Sequence, residues 1–411
     1  MRIALIHLRH AEVGGTERFM NRIAAHLAGL GHEVAIVCRR HGALPHPRVR
    51  FVVLHGLAVG GAWRAWRFAQ DVEAHVREAR YDLVFALGKT WTHDVIRSGG
   101  GCHQTYLDTA DRHARGAWER ATGWGALKNR VALDIEAKAY APGAYRKVIA
   151  ISDMVRRDLM ARYAIPPERI ELIYNGVDLE RFHPRLRTTA GAEWRRRAGF
   201  APDEIVILFL GSGFGRKGLE PLLAAFAGAR ARAKAHAPGT PGRPELRLAV
   251  VGRDGSQAHY ETIAQQLKLG DRVRFLGETR APEECYAGSD LYVLPTRYDA
   301  FAFTILEALA SGLPVITTDR AGAAELLGPE HGEVLAAPGP PAGADARASS
   351  DEAAAEALAA ALERWCERGR IEVAAPAARA LAERYPFALT LARTTDVLMQ
   401  AAAERAREQR G

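Results

Sequence analysis

The sequence predicts an α/β protein of two domains, each a mainly parallel sheet covered by helices. Three observations carry that expectation. The chain has 411 residues, too many for one hydrophobic core and comfortable for two. Short apolar runs alternate with helical patterns from the first residues on, and such βαβ units require parallel strands with right-handed crossovers. Runs such as IVILFL at 205–210 are continuously apolar, as strands buried on both faces must be.

Apolar residues make up 48% and charged residues 25% of the chain, the balance of a folded soluble protein. The first residues already read as a strand, so no secretory signal is expected. No run of eighteen apolar residues occurs, so no membrane span is expected. Cys38, Cys102, Cys285 and Cys366 lie far apart without a CxxC. They read as neither a metal site nor a disulfide framework, which fits a reducing cytoplasm. The formal charge of +8 favours anionic partners, whether nucleotide sugars, acidic headgroups or nucleic acid.

Met1–Leu8 reads as a buried strand. The loop HAEVGGTERF leads into a helix over Thr16–Leu30, with Thr16 as cap and Phe19, Ile23, Leu27 and Leu30 on its core side. Gly14 and Gly15 lie at the carboxyl end of that strand, where ligands of open α/β sheets bind; a plain tight turn is the other reading. Strands EVAIVCR, VRFVVLHG and DLVFALG follow, with a helix carrying Trp63, Trp66 and Phe68 between the last two. In RSGGGCHQTYL, residues 97–107, three glycines let backbone approach a ligand and set His103 on a loop at the strand ends, with Arg97 close by. Thr109–Lys138 is Arg-rich and holds Trp118 and Trp124. It suits either an anionic headgroup layer or a solvated helix packed through its tryptophans. RKVIAIS is a strand, and Ser152 or Asp153 caps the helix holding Val155 and Leu159. Pro184 and the polar run after it mark a linker.

In the second half IVILFL runs into GSGFGRKG. Gly213, Gly215 and Gly218 match G-x-G-x-x-G, a dinucleotide fingerprint. The region twenty residues on, where that fingerprint needs an acid, is the basic ARAKAHAP, so an NAD site is not expected. Glycines that expose backbone N–H beside Arg216 and Lys217 suit a diphosphate. LRLAVVGRDG and RVRFLGETR are further strands. Asp290–Glu325 then gives a strand closed by Pro295, a loop over Thr296–Ala300, a helix with Phe301, Ile305, Leu306 and Leu309 on one side, a stop at Gly312, and the strand PVIT. The helix start is a natural anion seat. Asp299 and Glu307 flank it, and carboxylates there suit hydroxyls on either side of an anion. Residues 336–355, rich in Pro, Gly and Ala, read as a surface loop, followed by helices near 353–367 and 373–384 and a last helix over Ala388–Arg410.

The stretch 290–325 resembles the signature of retaining glycosyltransferases of family 4, which have the GT-B fold. Their pattern is a Glu, seven residues, a second Glu, an Ala-rich turn, Gly-x-Pro-Val and a further Glu. Glu307, Gly312, Pro314, Val315 and Glu325 fit; Asp299, one methylene shorter, stands at the first position. GSGFGRKG is similar to the corresponding string in lipopolysaccharide core glucosyltransferases of that family. Asn175-Gly176-Val177-Asp178 and Phe182 resemble its interdomain connector.

The resemblance implies two Rossmann-like domains facing a central cleft. Residues 1–183 would form an acceptor domain, joined by a C-terminal helix, 387–411, that crosses back to it; 184–386 would form the donor domain. It implies that Glu307 holds the nucleotide ribose and that Asp299, Ala300, Phe301, Ala302 and Phe303 hold the donor sugar and diphosphate. Gly14 and Gly15 would cradle the donor phosphate, with Gly213, Gly215, Arg216 and Lys217 as its clamp. His103 would lie near the reacting carbon, and Gly277, Thr279 and Arg280 on the side of the base. The expected activity is transfer of a hexose, glucose from UDP-glucose, to an envelope glycan or lipid-linked acceptor such as lipopolysaccharide core, with retention of configuration. No cofactor and no nucleic-acid partner are expected, and without a D-x-D triplet no divalent cation. The expected place is the cytoplasm, at the inner face of the membrane. A non-catalytic GT-B module that binds a nucleotide or anionic lipid is the alternative, kept open by Asp299.

Overall fold

The computed structural model describes residues 1–9, 14–42, 46–56, 60–88, 90–109, 124–236, 244–338 and 344–410. The chain separates into two compact units. The first runs to Tyr174 and regains the segment from Ala388; the second is essentially Asn175–Phe387.

The first unit holds seven parallel strands: β1 (Arg2–Ile6), β2 (Glu33–Cys38), β3 (Val49–Val53), β4 (Leu83–Ala86), β5 (Val95–Ser98), β6 (Lys147–Ala150) and β7 (Ile170–Leu172). Their order is β3-β2-β1-β4-β5-β6-β7. Among the described residues its helices are α1 (Gly15–Gly29), α2 (Gly61–Ala79), α3 (His103–Thr109), α4 (Trp124–Ala139) and α5 (Asp153–Tyr163). Ala4, Ile6, Ala35, Val37 and Val84 of three strands bury one sheet face against Phe68 and Val72 of α2, which is why those strands lack polar alternation. α1 starts at Gly15 with Gly14 as its cap, so Thr16 does not cap it. Phe19, Ile23 and Leu27 are buried, but Leu30 follows the helix end and is exposed. Ser152 does cap α5, accepting from Val155 N at 3.2 Å.

The second unit comprises α6 (Ala190–Ala198), β8 (Ile205–Leu210), α7 (Phe214–Lys217), α8 (Leu219–His236), β9 (Leu246–Val251), α9 (Gln257–Gln266), β10 (Val273–Gly277), α10 (Pro282–Ala287), β11 (Leu291–Leu294), α11 (Phe303–Ala310), β12 (Val315–Thr318), β13 (Gly332–Leu335), α12 (Ala344–Trp365) and α13 (Arg368–Glu383). Its parallel sheet has the order β10-β9-β8-β11-β12-β13. Residues 344–355, expected in a loop, are already helical. Their alanines extend α12, which packs along α8 with Leu358, Ala359, Ala361 and Leu362 buried. Residues 175–183 sit on this unit, so the division falls before the expected 183/184. Arg379 Nη1 donates to the carbonyls of Leu179, Phe182 and Ala310, and Arg181 pairs with Glu283.

The last helix, α14 (Phe387–Glu408), belongs to the first unit from Ala388 on. It buries Val397, Leu398 and Ala401 there. Arg405 donates to Asp94 at 2.6 Å, and Glu408 accepts both Nη groups of Arg146 at 2.6 and 2.7 Å. Among the described residues no helix is long and apolar enough to cross a membrane.

Candidate functional site

In the second sheet the strand order reverses between β8 and β11. At such a switch point the loops leaving two adjacent strands diverge and open a crevice at their carboxyl ends. The loops concerned are 211–218 and 295–303. Arg216 O ties them together, accepting Arg297 N at 2.9 Å and Thr296 Oγ1 at 3.1 Å. Gly218, at φ +80, passes so close to the other loop that a Cβ would lie 2.0 Å from Pro295 O.

The short helix α7 aims two cations at the junction. Gly213 opens it in a left-handed conformation. Phe214 anchors it, with its ring buried and its N–H donating to Asp254 Oδ2 at 2.7 Å. Gly215 lies under Tyr260, leaving 3.1 Å between a would-be Cβ and the hydroxyl. Lys217 Nζ then donates to Asp299 Oδ2 at 2.5 Å. Arg216 Nη1 donates to the same oxygen at 3.2 Å and to Tyr298 O at 2.9 Å.

Asp299 Oδ1 faces the other way. It accepts the N–H groups of Phe301 at 3.1 Å and Ala302 at 2.6 Å. Ala302 caps α11 in a left-handed conformation, φ 61°, unusual for a residue with a Cβ. The turn is also pinned to the loop after β12, through Asp299 N to Arg320 O and Ala323 N to Phe301 O; Glu325 lies in the 3-10 turn that follows. Ala300, Phe301 and Ala302 bury their side chains, so what they can offer a ligand is backbone. Phe303 begins α11 with its ring edge-on to Phe301. One turn on, Glu307 is buried and accepts the Tyr286 hydroxyl at 3.0 Å.

Burial alone would push the Asp299 carboxyl up. Lys217 and Arg216, with the Phe301 amide, more than offset it and hold the carboxyl well below the usual range. Burial lowers the Lys217 ammonium, against the pull of Asp299. One carboxylate thus balances two cations. Lys217 is enclosed, while about a third of the Arg216 side chain meets solvent.

The structure therefore joins Gly213, Gly215, Arg216, Lys217, Asp299, Ala300, Phe301, Ala302, Phe303 and Glu307 around one switch point. Thr279 and Arg280 lie on the same sheet edge beyond β10 and are exposed. Thr279 Oγ1 accepts Ala281 N at 3.0 Å, ahead of α10, and Arg280 O accepts Arg181 Nη2 at 3.2 Å.

In the first unit the switch falls between β1 and β4. Gly14 and Gly15 start α1 beside it, Gly14 at φ +128. His103 is the first residue of α3 rather than part of a loop. Its N–H donates to both oxygens of Glu136, at 2.8 and 3.0 Å, and its Nε2 lies 3.2 Å from Asn129 Oδ1. Arg97 is buried on β5 with its guanidinium 4.0 Å above the Phe19 ring, and burial pushes it down to about 9. The guanidinium thus packs on the buried face of α1. Residues 110–123, with Trp118, lie outside the described residues. Farther along the same stretch, the Lys138 ammonium sits over Trp66 and Trp91, at 4.4 and 4.7 Å, which favours packing over headgroup contact at that end.

Asp254, Tyr286 and Glu136 were not singled out from sequence. Asp254 carried a usable signal, an acid in the glycine turn GRDG after a strand. Tyr286 and Glu136 carried none, since each acts on a residue brought to it by the fold.

Known proteins share this arrangement of elements. The family described as Glycosyltransferase Family 4 matches residues 13–181, and Glycosyl transferases group 1 matches 191–377. The lipopolysaccharide glucosyltransferase WaaG of Escherichia coli K12 is 25% identical over 346 residues, 82% of this chain and 86% of that protein. A probable transglycosylase of Burkholderia thailandensis is 28% identical over 399 residues, 95% of each chain. A crystal structure of WaaG superposes with a TM-score of 0.75 at 23% identity, over 96% of this chain and 99% of that one. Anabaena HepE in complex with UDP-glucose superposes at 0.67 and 19% identity, over 97% and 100%; at these identities the solved structures speak for the fold alone. With one family match on each half and this shared architecture, the chain belongs to the glycosyltransferases of family 4, with the GT-B fold.

Proposed function

We propose that this glycosyltransferase moves a hexose, glucose from UDP-glucose, to an envelope glycan or lipid-linked acceptor such as lipopolysaccharide core, at the inner face of the cytoplasmic membrane. The observation that carries the reading is the meeting of Arg216 and Lys217 with the turn 299–303 at the β8/β11 switch. WaaG, a lipopolysaccharide glucosyltransferase, and HepE, solved with UDP-glucose, support the choice of donor and acceptor class.

Breaking the sugar–phosphate bond leaves negative charge on the diphosphate. Groups that bind this charge more strongly in the transition state than before it lower the barrier. Lys217 is buried and fixed, and Arg216 keeps about a third of its side chain open to a ligand from solvent. The positive end of α11 adds to them. In this reading protein cations do what a divalent ion would do. As the bond to phosphate breaks, the acceptor oxygen bonds the anomeric carbon from the same face. Its proton passes to the departing phosphate oxygen, so configuration is retained without a nucleophile from the protein. Glu307, positioned by Tyr286, holds the ribose.

Lys217→Ala is expected to lower kcat about 10²-fold with UDP-glucose and a core-glycan acceptor; unchanged turnover would remove the clamp. A second reading, a non-catalytic nucleotide- or lipid-binding module, draws on Asp299, which already occupies both cations. Incubation with UDP-glucose and no acceptor separates the two: slow release of glucose requires a working centre, and its complete absence favours the module.

A further inference from the structure

A cavity of about 780 Å³ opens in the first unit at the carboxyl ends of β1, β2 and β3. Arg9, Arg39, Arg40, His55, Gly56 and Arg64 are part of its wall. Its volume is that of a small-molecule site, and its charge is concentrated in guanidinium groups.

These arginines divide into one that builds the wall and three that stand exposed along it. Arg39 is committed: it donates to Gly56 O at 2.7 Å and pairs with Asp71 at 2.8 Å. It thereby locks the β3–α2 loop, and a Cβ on Gly56 would lie 2.7 Å from both Arg39 Nη1 and Asp71 Oδ2. Arg9 and Arg40 form a parallel bridge just past the ends of β1 and β2, which sets their side chains next to each other. Arg64 stands in the first turn of α2. Gly60 stands at the cap of that helix, which has no capping side chain and no acid in its first turn. A cation there opposes the helix dipole, so the pattern is costly in an empty cavity and favourable around an anion. Arg9, Arg40 and Arg64 are exposed, and no carboxylate among the described residues pairs with them.

We infer that this cavity binds a phosphate group carried on the acceptor glycan. Three guanidinium forks and a helix N-terminus match the several oxygens of a phosphate monoester better than a single carboxylate. The rest of the cavity leaves room for the sugar that bears it. The term acceptor rests on the transferase reading above; the anion site itself does not.

The test is calorimetric titration of the whole protein with glucose 6-phosphate and with glucose. Glucose 6-phosphate binds the wild type and glucose does not. Arg40→Ala and Arg64→Ala each weaken binding about tenfold or more, with thermal melts confirming that these exposed substitutions leave the fold intact. Lys217→Ala, in the other unit, binds glucose 6-phosphate as the wild type does. Absence of binding to the wild type, or binding indifferent to Arg40 and Arg64, overturns the inference. So does the case in which only phosphatidylglycerol vesicles, and not the sugar phosphate, depend on these arginines, for the site would then read a lipid surface. A protein that binds glucose 6-phosphate through Arg40 and Arg64 but releases no sugar from UDP-glucose keeps the cavity and loses the transferase reading.

Discussion

Asp299 uses four acceptor positions and fills all of them with the protein's own donors: two cations on Oδ2 and two amides on Oδ1. It is therefore the residue that positions the clamp and the turn, and its contact with a sugar hydroxyl would come only after one of these bonds is given up. Asp299→Asn removes the counter-charge of an enclosed lysine, and breaking such a pair costs about 3–5 kcal/mol. The melting temperature is expected to fall accordingly at neutral pH. The sign of the pH dependence follows from the depressed carboxyl. Stabilisation by Asp299 is complete above the unfolded-state value of about 3.9 and is lost as pH falls through the lower folded value. The gap between wild type and Asp299→Asn, measured by denaturant melts, should be widest near pH 6 and narrow below about pH 4. A gap that widens in acid would show that the carboxylate is not what holds Lys217. From sequence the acid and its eight-residue distance to Glu307 were plain. Its counter-ions were not, because Lys217 and Asp299 are far apart in the chain and meet only where β8 and β11 pair.

The elements around it were legible to different degrees. Continuous apolar runs located the buried strands, since burial on both faces leaves no alternation. GSGFGRKG was legible as a glycine turn with cations, but not which glycine is indispensable. The structure singles out Gly218, whose close pass over Pro295 O holds α7 against the β11 loop. Gly218→Ala forces a side chain into a left-handed backbone, at about 1–3 kcal/mol, and adds a collision with a carbonyl that cannot yield. Both the melting temperature and kcat should drop although no group that touches a donor is changed. Donor affinity and turnover equal to wild type would mean that the two loops need no such contact to hold their cations. Start signals were less reliable. Thr16 has the right chemistry for a cap, yet Gly14 takes the place. The Ala-rich run at 344–355 was masked by the prolines before it, although alanine favours helix whenever a partner such as α8 is at hand.

For the whole molecule, the boundary between units was misplaced because sequence marks linkers by proline and polarity, whereas packing decided this one. Residues 175–183 carry carbonyls that Arg379 binds, so they belong with the second sheet despite preceding Pro184. The second unit is thus nearly one unbroken stretch, 175–387, while the first is completed by a segment more than two hundred residues away in sequence. The two halves should differ when cut apart. Asn175–Phe387 expressed alone contains all six strands of its sheet and every residue of the Arg216–Asp299 group, so it should fold and be stabilised by UDP in a thermal-shift measurement. Residues 1–174 alone lack α14. Buried Asp94, which also accepts Val84 N at 2.8 Å, loses Arg405, and the surface under Val397, Leu398 and Ala401 is laid open to water. That fragment should be unfolded or sharply destabilised, and recover when residues 388–411 are supplied through a flexible linker. A stable 1–174 fragment that gains nothing from the helix would make α14 an appendage; a 175–387 fragment that folds without responding to UDP would take the nucleotide site away from the β8/β11 switch.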